Sequence, residues 1–444
     1  MATAVPSNYA NIKEKGDLDF SNYIAKLQDY CNTVVIEMSE DTIINCINES
    51  DTRSNNIFLW HILSTFFKNC YDNRPIKSFI DFSIIMKLVY DTDPSEGRQI
   101  FDVIEFVGRD LVTRLTASND SEMAKDLCKG MINLLQNGNS KVITSFHSSI
   151  VKIFAKEEDV TGALEYIILD DYQLLNERLM TKVKKISSVI NPCSLVSYFY
   201  YSGNVMMKVG RYADAFVCYE SVIHITNKVS PPNSNIFSSS IKRYILSGIL
   251  AFQRSPLVNF ILTNETIRNF NFYFSDYVTI HKYFKNGLII DNITFSKFST
   301  IIDRLHKKAD NETTENCEYL MLIKELVIKH SVIKFAKAYS RMTVDDLKRK
   351  SFLPPEINIG KYLHDLVNQK LINVCVGDGK VITFIDNEEI DTSSVYKLCG
   401  EVEVAQRRLH NLKSLLLNNF SNEKCFVDEK FDTDSLEVIA CTDD

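Results

Sequence analysis

From about residue 19 to residue 190 the chain repeats one pattern: apolar residues at helical spacing, separated by short polar links. In 56–71 the apolar positions are Ile57, Leu59, Trp60, Ile62, Leu63, Phe66 and Phe67. In 77–90 they are Phe79, Ile80, Phe82, Ile84, Ile85, Leu88 and Val89. Such spacing turns one side of a helix toward a core. Similar runs occupy roughly 98–116, 120–136, 140–156 and 160–189. Pro75 and Pro94 fall between runs, where a helix must stop or restart. Asp93 or Ser95 can cap the helix that follows Pro94. The chain has only 14 glycines and 9 prolines among 444 residues, about 5% where an average protein has roughly 12%. That scarcity argues against a turn-rich all-β chain, and the short links fit helices stacked beside their neighbours.

Charge and cysteine narrow the function classes. The net charge is −7, from 50 basic and 57 acidic residues. Residues 421–444 hold eight acidic and two basic residues, which leaves −1 for everything before them. A near-neutral body lacks the broad basic footprint of a nucleic-acid binder. Eleven cysteines are spread from Cys31 to Cys441 with no CxxC among them, so they read as reduced intracellular thiols. The first ten residues have neither the basic region nor the apolar run of a secretory signal. The longest uncharged apolar stretch, Tyr244 to Phe252, is about half the roughly 18 residues of a membrane span. No membrane association is expected.

One segment shows an internal repeat. Residues 201–222 resemble a tetratricopeptide repeat. Gly203 and Asn204 fall at the close contact between the repeat's two helices, and Gly210 at its turn. Tyr212, Ala215 and Tyr219 fall at the signature positions of the second helix. Small residues let two helices approach, and aromatic rings fill the groove beside them. Val222 stands where alanine is usual, and the closing proline is displaced to Pro231-Pro232. One repeat cannot bury its own face, so it must stack on others. Helices at about 194–209, 236–253, 257–270, 274–285 and 293–308 are the candidates.

The pattern changes after residue 326. Leu326, Val327, Ile328, Val332, Ile333, Phe335, Ala336 and Tyr339 predict a helix over 326–340. Thr343 can cap a short helix with Asp345 and Asp346 in its first turn. After Pro354-Pro355 comes a third helix, and then a hairpin of 371–376 and 381–385 around Gly377-Asp378-Gly379-Lys380. Three helices and a terminal hairpin are the layout of a winged helix. A last helix carries Val395, Leu398, Val402, Ala405, Leu409, Leu412 and Leu416, an a/d stripe over three heptads. The expected organisation is a flexible 1–18, a helical-repeat array over 19–325, a winged helix over 326–388, a bundle helix over 391–420 and an acidic disordered tail over 421–444.

This order resembles the PCI family, the scaffold subunits of the proteasome lid, the COP9 signalosome and initiation factor three. Tyr201–Ile223, the helix from Ile241 to Leu250, and residues 330–386 carry the resemblance, which is greatest to the signalosome subunit 3 family. It implies a mainly α fold, a TPR-like solenoid followed by a winged helix and a bundle helix. It also implies a non-catalytic scaffold in an assembly that removes Nedd8 from cullins. The partners would be other signalosome subunits, with subunits 1 and 8 as neighbours, in a cytoplasmic and nuclear hetero-oligomer. The resemblance assigns partner binding to Ile372, Val374, Val381 and Phe384 near the winged-helix edge. A second surface would be the stripe Val395, Leu398, Val402, Leu409, Leu412 and Leu416. Proteasome-lid or initiation-factor membership, or a free-standing peptide-binding adaptor, are the alternatives.

The sequence carries no recognised enzyme signature. No two of the eight histidines are separated by one or by three intervening residues, so neither HxH nor HExxH exists. There is no P-loop, GxGxxG between strand and helix, or GxSxG. No catalytic residue, metal or cofactor is expected. A winged helix can bind DNA, but the recognition helix at about 356–370 carries Glu356, Asp365, Lys361 and Lys370 and no arginine. Lys348-Arg349-Lys350 alone supplies few phosphate contacts, so nucleic acid is not an expected partner.

Overall fold

The computed structural model describes residues 17–33, 35, 40–53, 55–69, 82–169, 173–174, 192–229, 235–256, 274–307, 311–376 and 381–385. They form seventeen helices and five short strands. The bundle helix expected over 391–420, the tail and the helix expected over 257–270 lie outside the described residues. The described residues divide into two compact units, those up to 149 with 173–174, and 150–169 with those from 192 to 385.

The first unit contains α1 (Asp17–Thr33), α2 (Glu40–Glu49), α3 (Asn56–Asn69), α4 (Phe82–Asp91), α5 (Pro94–Gln99), α6 (Phe101–Ala117) and α7 (Ser121–Gln136). Helix α3 is its centre. Ile57 to Leu63, together with Phe66 and Phe67, are buried on every side rather than along one stripe, because α1, α2, α4 and α6 all pack against it. A helix that is apolar all round belongs in the middle of a core. The chain's one tryptophan, Trp60, is fully buried there. Its Nε1 donates to Thr92 Oγ1 at 3.0 Å, and that hydroxyl donates to the Leu88 carbonyl at 2.6 Å. Of the two caps read for α5, Asp93 is used: its Oδ1 accepts from the Ser95 N–H at 2.8 Å.

Two expectations change here. The run at 140–156 opens as a strand, β1 (Val142–Ile143), before α8 (Ser145–Lys156). The continuous helix expected over 160–189 ends early: α9 is Val160–Leu164, and β2 (Gln173–Leu174) pairs in parallel with β1. Beyond Leu164 the Tyr198 hydroxyl binds the backbone of Ile168, accepting from its N–H at 2.7 Å. That side chain takes the donor a helix would have used.

The second unit builds on α10 (Pro192–Val209), α11 (Tyr212–Val229), α12 (Asn235–Phe252), α13 (Ser275–Phe284), α14 (Asn292–His306) and α15 (Asn311–Ala338). The first three pack most closely on one another. Helix α15 begins fifteen residues before the expected start at 326, so residues 325 and 326 lie within one helix. The reason is a change of face. Leu320, Ile323 and Val327 enter one core, while Ile328 and Val332 enter the next. Successive residues point about 100° apart on a helix, so the stripe seems to restart at 326 although the backbone does not.

The second core is closed by β3 (Arg341–Thr343), α16 (Val344–Lys350), α17 (Ile359–Asn368), β4 (Asn373–Val376) and β5 (Val381–Ile385). The three strands form an antiparallel sheet in the order β3-β5-β4. The hairpin strands were expected; β3, which falls between the helix expected over 326–340 and the helix that Thr343 caps, is the addition. Thr343 caps α16 as expected, its Oγ1 accepting from the Asp346 N–H at 3.1 Å. Phe295 of α14 and Phe352, after α16, stack at 4.2 Å and touch both cores. Phe352 holds φ +62 to do so, a left-handed conformation that a bulky residue adopts only when its surroundings demand it.

Because Trp60 is the only tryptophan, its emission reports the first unit alone. Thr92→Val should leave the buried indole N–H unsatisfied and lower stability by about 1–3 kcal/mol. Denaturant titration followed at tryptophan emission measures it, and an unchanged midpoint would contradict the role given to this hydrogen bond.

Candidate functional site

The repeat motif places its residues as the spacing predicted. Gly203 lies so close to α11 that an added Cβ would sit 2.8 Å from the Tyr219 ring. Gly210 turns the chain with φ +82. Ala215 and Tyr219 are fully buried, and Tyr212 packs half-buried against the same core. Val222, where the motif favours alanine, is also fully buried.

The Tyr219 hydroxyl opens a polar network that ties four helices together. It donates to Asn204 Oδ1 at 2.9 Å, and the same oxygen accepts from Arg243 Nη1. Arg243 Nη2 donates to Glu315 Oε2 at 2.6 Å. Beside it, Lys242 Nζ reaches Glu312 Oε1 at 3.1 Å. The network thus joins α10, α11, α12 and α15. Arg243 is 4% exposed, whereas the Glu315 side chain is 43% exposed. Burial disfavours the charged guanidinium, but Tyr219, Tyr200 and Glu315 outweigh it and hold the Arg243 pKa above its ordinary value. Burial also pushes the Tyr219 hydroxyl well above the usual tyrosine range.

A cleft of about 290 Å³ opens over this network. Tyr200, Tyr201, Lys208, Arg243, Glu158 and Glu315 are among the residues that line it. Its charges are matched: Lys208 lies 3.4 Å from Glu158, and Arg243 meets Glu315. The acids and bases around the cleft are engaged with one another, so the network ties the helices together. Among the described residues no group of three or more His, Cys, Asp or Glu could hold a metal ion. His61 and His147 are buried, and burial lowers each to about 4. Buried Cys128 and Cys31 are likewise pushed up by desolvation, Cys31 to about 11.

The four positions assigned to the winged-helix edge separate in the structure. Ile372 and Phe384 are core residues of the second cluster, so they hold the sheet onto its helices. Val374 packs half-buried against that cluster from β4, an outer strand. Val381 is exposed on β5, which is the central strand and not an edge. The period-2 alternation of a strand explains the division: Ile382 and Phe384 face inward, Val381 and Ile385 outward. Val395, Leu398, Val402, Leu409, Leu412 and Leu416 lie outside the described residues. The Arg243–Glu315 pair was not anticipated. Its signal was present, since a Lys-Arg pair inside the apolar run Ile241–Leu250 must find acids or water.

A family model for the N-terminal helical repeats of COP9 signalosome complex subunit 3 matches residues 21–254. That span is 234 of the 444 residues. The chain belongs to the COP9 signalosome subunit 3 family. Comparison with curated proteins gave no significant match. In this signalosome family member the match covers the repeat motif and Arg243, and ends before α15 supplies Glu315. Membership implies assembly with other signalosome subunits.

The network makes an asymmetric prediction. Glu315→Ala leaves the buried Arg243 with Asn204 as its remaining partner and should cost about 1–3 kcal/mol. Arg243→Met leaves only a half-exposed carboxylate behind and should cost less. Equal losses in urea titrations would refute that reading. Glu220 of α11 is buried, and burial raises it to about 8. Its folded-state pKa lies above its unfolded value, so the folded state keeps a proton the unfolded chain releases. Stability should therefore fall as pH rises from about 4.5 to 8. Glu220→Gln should flatten that slope and raise stability at pH 8; an unchanged slope would contradict it.

Proposed function

We propose that the chain is a non-catalytic scaffold subunit of the COP9 signalosome, the assembly that removes Nedd8 from cullins. The observation that carries this is the match of its helical repeats to the subunit 3 family over residues 21–254. The order of elements after residue 328 supports a winged helix of the PCI type: helix, strand, two helices and a hairpin, with a three-stranded sheet. On this reading catalysis belongs to another subunit, and this chain holds its neighbours in register. The neighbours would include subunits 1 and 8, in the cytoplasm and nucleus.

Two surfaces would make the assembly. The first is the outer strand β4, whose edge can pair with a neighbouring strand. The second is the stripe from Val395 to Leu416, which would enter a bundle of terminal helices from several subunits.

Leu409→Asp with Leu412→Asp tests the second surface. Two charges in an apolar seam should remove the chain from the complex while leaving its circular dichroism unchanged. Retention at wild-type stoichiometry would refute the stripe as an assembly element. A lone chain that binds peptides but recovers no signalosome subunit would favour the free-standing adaptor.

A further inference from the structure

We draw no further inference here: the strongest candidate, the cleft of about 290 Å³ over the Arg243 network, belongs to the site already described, and its lining charges already have partners.

Discussion

Arg243 carries a full charge into a helical core, and the second unit is arranged around keeping it there. A buried guanidinium must be hydrogen-bonded and paired or its helix cannot pack. Asn204, beside the close-contact glycine of the repeat, supplies one partner, and Glu315 at the start of α15 supplies the other. The pairing fixes which helices are neighbours. Apolar packing is tolerant of sliding; a set of directional hydrogen bonds from four helices is not. Tyr219 links the two kinds of constraint, since its ring fills the space that Gly203 leaves and its hydroxyl joins the network.

Helix α15 carries this order onward. Its first half meets the repeat helices and its second half forms one wall of the three-helix, three-strand subdomain. With no break between those halves, the position of one follows from the position of the other. Phe352 adds a second connection by stacking on Phe295 at the cost of a left-handed backbone. Such rigidity suits the scaffold role proposed above, in which a subunit that holds others in register transmits geometry.

Much of this was legible in the sequence where the signal is local. The caps at Asp93 and Thr343, the turn at Gly210 and the helices α10 to α12 follow from side chains acting on their own backbone. What was hidden depends on distant partners. Glu315 lies 72 residues from Arg243. The parallel pair of β1 and β2 has two residues on each strand, too few for any alternation to show. The start of α15 was misplaced because its buried face changes between Val327 and Ile328. At the winged-helix edge the sequence supplied the right strands but not their order. Val381 was therefore read as an edge residue when it lies on the outward face of the central strand, and Ile372 and Phe384 as contacts when they are core.

On the proposed reading this member of the subunit 3 family works as structure within a signalosome. The most direct measurement is gentle purification of the chain from its native cell, with mass spectrometry of what accompanies it and an assay for cullin deneddylation. Recovery in stoichiometric amounts with the other signalosome subunits is expected, with activity in the assembly and none in the isolated chain. Recovery as a lone monomer, or with proteasome-lid or initiation-factor subunits, would contradict it.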